Sequence, residues 1–290
     1  VQRRQMSTIE ADNVFALRIN GTFDDCQDLV KQAFIQRDFL KPDQYLLAVN
    51  SINWTRIVGQ ICYYFYAYNR LANHENLNFS IPTGNFGNVF ACYSAFKMGL
   101  PIKTISVAVN DNDILHRFFA SNDYSKKQVH ETISPSMDIS VASNFERLVY
   151  DFFLDRSTAK CAELFNNFPN QGIELDETTW NKKNALFSSS SVDDAVTQAI
   201  IQSINNEHHY LLDPHTAVAM QEAIEVSSST DHYVVLATAH PAKFPDIYKK
   251  LAIDLSETPK ALKGLYDKTE HLHHFDANYD EITSFINSRN

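Results

Sequence analysis

The most informative part of the chain is residues 77–109. Residues 77–81 favour a β-strand, residues 82–88 form a loop, residues 89–100 repeat apolar side chains at helical spacing, and residues 104–109 favour a second strand. A strand, a loop, a helix and a strand in so short a segment make a βαβ unit, which joins parallel strands. The sequence therefore predicts an α/β fold with mostly parallel sheets flanked by helices.

The loop of this unit reads Pro-Thr-Gly-Asn-Phe-Gly-Asn over residues 82–88 and holds two of only seven glycines in 290 residues. Gly84 and Gly87 let backbone N–H groups converge, and the start of the following helix adds partial positive charge. The pattern indicates a phosphate cradle, and a plain strand-to-helix turn is the alternative. The loop is neither a Walker loop nor a Gly-x-Gly-x-x-Gly motif.

Two other segments place hydrogen-bonding side chains where a ligand is expected. Asn50, Ser51 and Arg56 cluster at a predicted helix start and suit a second anion, with a helix cap plus a surface arginine as the alternative. Thr238 follows a strand predicted as buried over residues 233–237, at the end where open α/β sheets bind ligands. The alternative is a strand-end threonine that is satisfied by backbone groups.

Composition excludes several classes of protein. The formal net charge is −10, so no basic face indicates nucleic-acid binding. No apolar stretch approaches the roughly 20 residues of a membrane span. The four cysteines form no close pair, so we expect reduced thiols in a cytosolic, cytoplasmic protein, without a disulfide framework or a zinc site. The histidines of residues 271–276 and 208–209 are interpreted as solvated surface groups, so we expect no metal site.

The chain is predicted to divide into residues 1–48 and residues 49–290, because a more apolar stretch begins after Asn50. The serine run at residues 188–191 is predicted to be a linker or a helix entry. No internal repeat is present.

Seven motifs of the chain, in the same order, resemble those of threonine synthases, which are pyridoxal-phosphate enzymes of the tryptophan-synthase-β fold type (fold type II). The resemblance covers essentially the whole chain. The motifs are Gly-Thr-Phe-Asp-Asp-Cys at 21–26, Asn-Ser-Ile-Asn at 50–53, the loop at 82–88, Ser-Pro-Ser-Met-Asp at 134–138, Ser-Asn-Phe-Glu-Arg at 143–147, Asp-Pro-His-Thr-Ala at 213–217 and Thr-Ala-His-Pro-Ala-Lys-Phe at 238–244.

The resemblance implies a role for each candidate site. It implies that residues 1–48 are the C-terminal part of a small α/β domain and that residues 49–290 are a large domain that binds pyridoxal 5′-phosphate. Thr238 matches the hydroxyl residue that faces the pyridine nitrogen. The positions that match the cofactor-phosphate loop are Gly84, Asn85, Phe86, Gly87 and Asn88, and those that match the substrate-phosphate site are Asn50, Ser51 and Arg56.

The implied activity is conversion of O-phospho-L-homoserine and water to L-threonine and phosphate, with a small-molecule substrate and neither nucleic acid nor membrane as partner. A phospho-lyase of the same fold, which releases 2-oxobutyrate, and a non-catalytic phosphate-binding module are the alternatives. One departure from the family pattern stands out: no lysine here lies in the family's Phe-Lys-Asp motif, which holds the Schiff-base lysine. We therefore expect the chain to correspond to the C-terminal two thirds of the enzyme, without a catalytic residue of its own, and to be inactive alone.

Overall fold

The structure is a computed structural model that describes residues 1–21, 23–72, 76–226, 232–255 and 259–289. Thr22, within the motif at 21–26, lies outside the described residues. The strands are β1 (Ala16–Asn20), β2 (Leu77–Pro82), β3 (Thr104–Val109), β4 (Phe187–Ser191), β5 (His232–Val235) and β6 (Leu272–Asp276).

The α-helices are α1 (Gln2–Ser7), α2 (Phe23–Ile35), α3 (Trp54–Tyr68), α4 (Gly87–Lys97), α5 (Ile114–Ser121), α6 (Phe145–Leu148), α7 (Thr158–Gln171), α8 (Glu177–Asn181), α9 (Asp194–His208), α10 (Pro214–Val226), α11 (Pro245–Lys250) and α12 (Tyr279–Ser288). Short 3₁₀ turns lie at Pro135–Met137, Lys182–Ala185, Pro241–Lys243 and Lys260–Leu262, and a π-helical turn lies at Val149–Phe153. None of the helices described is long and apolar enough to cross a membrane.

The chain forms two compact units, one of Val1–Ala48 with Ser256–Asn290 and the other of Val49–Leu255. This division differs from the predicted one, because residues 256–290 group with the N-terminal residues. The reason is the parallel pairing of β1 with β6. Partners so far apart in sequence leave no local pattern that predicts their pairing. The roles of small domain and large cofactor-binding domain stay predictions.

In the first unit, β1 and β6 form a two-stranded parallel sheet with Ala16 opposite Leu272. His273 and His274, which were interpreted as solvated surface groups, lie in β6, where His274 is exposed and His273 is half-buried. His273 packs its ring against Phe285 of α12, with 4.7 Å between centroids. Across the residues that the structure describes, no group of three or more His, Cys, Asp or Glu side chains is arranged to hold a metal ion.

The second unit contains a four-stranded parallel sheet in the order β4-β3-β2-β5, and the predicted α/β fold is confirmed. Neighbouring side chains of a strand point to opposite faces of its sheet. Phe79 of β2 packs edge-on against Tyr64 of α3, at 5.0 Å between centroids. The next residue, Ser80, donates to the carbonyl of Ala219 on α10. Helices α3 and α10 thus cover opposite faces of β2.

Two predictions about this sheet were wrong. Residues 188–191, predicted to be a linker or a helix entry, belong to β4, which pairs with β3. Ser188 bonds both Ser106 and Glu222, and Ser191 donates to the carbonyl of Asn110, so hydroxyls at these two positions are compatible with a strand. Strand β5 ends at Val235 and is half-buried instead of buried, because among the described strands it lies at the edge of the sheet, beside β2.

Candidate phosphate-binding site

The glycine loop begins directly after β2, at the carboxyl edge of the parallel sheet. Thr83 is buried, and its backbone N–H donates to the carbonyl of Ala108 over 2.8 Å. Its hydroxyl donates to the carbonyl of Ile81 over 2.7 Å. The start of the loop is therefore fixed to both β2 and β3, at the edge where ligands of open α/β sheets bind.

Phe86 turns the loop into α4. Its φ of +64° lies in the left-handed region, which bulky residues rarely adopt. The ring is buried and packs edge-on against Phe145, at 5.4 Å between centroids, and stacks on Phe119 at 6.5 Å. Packing of the ring thus stabilises a strained backbone conformation, as at other functional turns.

The backbone N–H groups of residues 84–89 have no hydrogen-bond acceptor among the described parts of the chain. Helix α4 has no side-chain cap either, since Phe86 occupies the N-cap position. Unpaired N–H groups at a helix start carry partial positive charge and favour an anion such as phosphate. The local geometry is compatible with the phosphate cradle, which stays a prediction.

Gly84 is required by the close approach of a neighbouring segment, and Gly87 is closely packed. A Cβ on Gly84 would lie 2.5 Å from the carbonyl oxygen of Ser136, a distance that real Cβ atoms essentially never show. A Cβ on Gly87 would lie 3.1 Å from Cβ of Ser51 and 3.2 Å from Oε1 of Gln60. Larger side chains at either position would displace the segments that surround the cradle.

Tyr64 of α3 is hydrogen-bonded to the first turn of α4. Its hydroxyl donates to the carbonyl of Asn88 over 2.6 Å. Burial raises the pKa of Tyr64 well above its ordinary value. The phenol therefore stays protonated and keeps this hydrogen bond over the whole physiological pH range.

The turn before α3 is the second predicted anion site. Asn50 Oδ1 accepts from the backbone N–H of Ile52 over 3.1 Å. Asn53 Oδ1 accepts from the backbone N–H of Thr55 over 2.9 Å and caps α3. Arg147 donates to the carbonyl of Ile52 over 2.8 Å and fixes the turn from outside.

Asn144 connects this turn to the glycine loop. The residue is fully buried, and its Nδ2 donates to the hydroxyl of Ser51 over 3.2 Å and to the carbonyl of Asn85 over 3.0 Å. Its Oδ1 has no partner within the described residues. No spacing in the sequence predicts a role for Asn144, because a contact between residues this far apart has no local signature.

The structure places the two remaining candidates on the surface. Arg56 lies in the first turn of α3, is exposed, and its guanidinium has no hydrogen bond or ion pair to the residues described. Thr238 is exposed and lies beyond the end of β5. Because Ser80 of β2 is in register with Val235, Thr238 follows at the same sheet edge as Thr83. No hydrogen bond joins Arg56 or Thr238 to the loop in the described structure.

Comparison with known proteins gives two matching family models. The model described as "Pyridoxal-phosphate dependent enzyme" matches residues 2–163, and the model described as "Threonine synthase, C-terminal" matches residues 216–286. The first covers more than half of the chain.

Individual relatives agree with these models. The threonine synthase of Pseudomonas aeruginosa is 46% identical over 274 residues, which cover 93% of this chain and 58% of that protein. The crystal structure of threonine synthase from Brucella melitensis with bound pyridoxal phosphate superposes with a TM-score of 0.90 at 40% identity. The yeast threonine synthase structure superposes with a TM-score of 0.85 at 35% identity. The alignments cover 99% of this chain and 62% of each of these two chains, so the chain spans about three fifths of its relatives.

Proposed function

Because the chain belongs to the family of pyridoxal-phosphate-dependent enzymes and is similar to threonine synthases along its length, we propose that it provides both phosphate sites of a threonine synthase. The proposed cofactor is pyridoxal 5′-phosphate, and the proposed substrate is O-phospho-L-homoserine. The observation that carries this proposal is that the backbone N–H groups of residues 84–89 have no acceptor among the residues that the structure describes. The phosphate-binding loop of a pyridoxal-phosphate enzyme needs such donors.

The residues of the loop fit the cofactor phosphate. Gly84 leaves no room for a side chain and Gly87 is closely packed, so the backbone itself lines the proposed cradle. The neighbouring Asn144 is fully buried, and its Nδ2 donates to the carbonyl of Asn85, which fixes the loop beside the proposed site. We assign the phosphate to the backbone N–H groups of Gly84, Asn85, Phe86, Gly87 and Asn88.

Pyridoxal phosphate, when bound, is the electron sink of the reaction. This chain contributes the groups that hold and orient it. Thr238, at the same sheet edge, offers a neutral hydroxyl to the pyridine nitrogen. A neutral partner does not force that nitrogen to stay protonated, which moderates electron withdrawal and favours elimination at the side chain over transamination.

The substrate phosphate is assigned to Asn50, Ser51 and Arg56. The Ser51 hydroxyl accepts from Asn144, so its own proton remains available to a phosphate oxygen. Arg56 is exposed and offers paired donors to a phosphate. Two anion sites in adjoining segments suit a reaction in which both the cofactor and the substrate carry a phosphate.

The Schiff-base lysine of the family has no counterpart in these 290 residues, because none of their lysines stands between phenylalanine and aspartate. Lys97 does not replace it. It lies at the opposite end of α4 from the loop, about 15 Å away at 1.5 Å per residue, and it pairs with Asp151. We therefore propose that the chain alone turns over no substrate.

The test joins the segment of the P. aeruginosa relative that precedes the matched region to Val1 of this chain. We expect the fusion protein to convert O-phospho-L-homoserine to L-threonine and phosphate, and the 290-residue chain alone to produce neither. Release of 2-oxobutyrate and ammonia would favour the phospho-lyase. A folded fusion that binds pyridoxal phosphate without turnover would favour the non-catalytic module.

We infer a cytoplasmic location from the thiols. All four cysteines are free, and two of them, Cys92 and Cys161, are buried. Unpaired thiols are typical of reducing compartments. Fractionation of cells that express the tagged protein tests this inference.

A further inference from the structure

His215 occupies a buried position that the roles above leave unexplained. The residue is 3% exposed, and its ring lies against Phe244 with 5.0 Å between centroids. Its Nε2 faces Ser136. These three residues belong to the motifs at 213–217, 238–244 and 134–138, which therefore meet at one imidazole.

The hydrogen bonds of His215 fix its tautomer. The backbone N–H of Ser136 donates to Nε2 over 3.2 Å. A backbone N–H can only donate, so Nε2 is the unprotonated nitrogen of a neutral ring. Nδ1 carries the proton and donates to Oδ1 of Asp213 over 3.0 Å. The imidazole therefore bridges a carboxylate and a backbone amide.

Asp213 anchors this bridge to the start of α10. Its Oδ1 also accepts from the backbone N–H of His215 over 3.0 Å, and its Oδ2 accepts from the hydroxyl of Thr216. Burial alone would raise the pKa of Asp213, but the hydrogen bonds from His215 and Thr216 outweigh burial and hold it below its ordinary value. Helix α10 is itself fixed to β2, because Ser80 donates to the carbonyl of Ala219 over 2.7 Å.

The other end of the bridge touches the phosphate loop. Ser136 lies in the 3₁₀ turn Pro135–Met137, and its carbonyl oxygen is the atom that would lie 2.5 Å from a Cβ on Gly84. Asp138 fixes the far side of this turn, since its carboxylate accepts from Asn110 over 2.8 Å and from the backbone N–H of Thr132 over 3.0 Å. The turn thus forms a wall of the cradle.

We propose that the Asp213–His215 pair positions the phosphate loop: by holding Ser136 against Gly84, it keeps residues 84–88 in the conformation that binds the cofactor phosphate. His215 is a positioning residue, since it reaches the loop through Ser136 and not directly. The proposal rests on the proposed function of residues 84–88.

A double-mutant cycle between His215→Leu and Gly84→Ala tests the proposal in the 290-residue chain. The probe is pyridoxine 5′-phosphate, which has the phosphate but no aldehyde to react with surface lysines. We expect His215→Leu to weaken binding about tenfold. Gly84→Ala should lower the affinity much less in the His215→Leu background than in wild type, because a released Ser136 can move away from the new Cβ. Losses that simply add would overturn the proposal.

Three further variants separate positioning from general destabilisation. His215→Gln keeps an acceptor near the position of Nε2 and should retain affinity within about threefold of wild type. His208→Leu, the same type of change at an exposed histidine, should alter neither affinity nor stability. If His215→Leu fails to fold, His215→Asn replaces it, since the shorter amide reaches Asp213 but not Ser136.

The thermal midpoints of the four proteins of the cycle (wild type, His215→Leu, Gly84→Ala and the double variant) are also measured without ligand. This measurement makes the test independent of the proposed function. We expect Gly84→Ala to lower the thermal midpoint less in the His215→Leu background than in the wild-type background. A wild-type chain that binds no probe would contradict the proposed function, whereas non-additive midpoints would still support the positioning by His215. Additive midpoints would overturn it.

Discussion

The glycine loop and the turn before α3 are both assigned to phosphate groups, yet they are built differently. The loop uses backbone N–H groups that are fixed by a buried ring at Phe86 and by close contact with Ser136. The turn uses side chains, and Arg56 extends from an exposed helix surface. We therefore expect added side-chain atoms to lower the affinity of the loop for phosphate. At the turn, we expect removal of a donor side chain to lower it.

The largest effect is expected from adding bulk to the loop. Gly84→Val places Cβ and two methyl groups where Ser136 now lies. We expect the affinity of the 290-residue chain for pyridoxine 5′-phosphate to fall at least about a hundredfold, or ~2.7 kcal/mol. Isothermal titration measures the change. Wild-type affinity in this variant would remove the loop from the site and erase the contrast between the two regions.

A smaller effect is expected at the surface turn. In the fusion protein, Arg56→Ala removes a charged donor from the substrate phosphate without altering the packing. We expect kcat/KM for O-phospho-L-homoserine to fall about tenfold, while cofactor affinity and the thermal midpoint stay at wild-type values. Steady-state kinetics on matched samples measure this. Unchanged kinetics would make Arg56 an ordinary surface residue.

The thermal stability of the chain should also decrease in acid, because the buried carboxylate of Asp213 becomes protonated. The pKa of this carboxyl is lower in the folded chain than its ordinary value of 3.8, so its ionised form stabilises the fold. This stability is present above that value and is lost as the pH falls through the lower, folded-state pKa. We expect the thermal midpoint of Asp213→Asn to decline less than that of wild type as the pH is lowered from about 5 to 2.

The matched control for the acid series is Asp254→Asn, at an exposed carboxyl in the same unit. Its thermal midpoint should follow the wild-type curve. Identical curves for Asp213→Asn and wild type would show that the buried carboxylate contributes nothing to stability in its ionised form.

The smallest effect is expected where a glycine has no close neighbour. Gly59 lies inside α3, and a Cβ added there meets no atom within 4 Å. Gly59→Ala should raise the free energy of unfolding by up to about 1 kcal/mol through helix propensity. It should leave the affinity for pyridoxine 5′-phosphate unchanged. A loss of stability in denaturant titration would show that close packing is not what distinguishes Gly84.

The sequence was most informative where burial imposes a regular pattern. Strands β2 and β3 are buried almost throughout, and each has apolar side chains at alternate positions, while the helix between them follows its predicted bounds closely. The Asn53 cap was also predictable, because a cap depends on residues within one helical turn. The glycine loop was predictable for the same reason, since its residues are consecutive in the sequence.

The sequence was least informative where long-range contacts decide the outcome. The serines of β4 have low strand propensity, and pairing with β3 and bonds to Ser106 and Glu222 override it. Asn144 and His215 reach the site through contacts that no spacing in the sequence reveals. The glycine loop is therefore visible in the sequence, whereas the residues that support it are not.

The most direct test of the account compares two ligands that differ only in their phosphate. The 290-residue chain is titrated with pyridoxine 5′-phosphate and with pyridoxine, and Gly84→Val is titrated alongside. We expect wild type to bind the phosphorylated ligand and not pyridoxine, and Gly84→Val to bind neither. Equal affinity for both ligands, or phosphate-dependent binding that survives in Gly84→Val, would contradict the assignment of residues 84–88 to the cofactor phosphate.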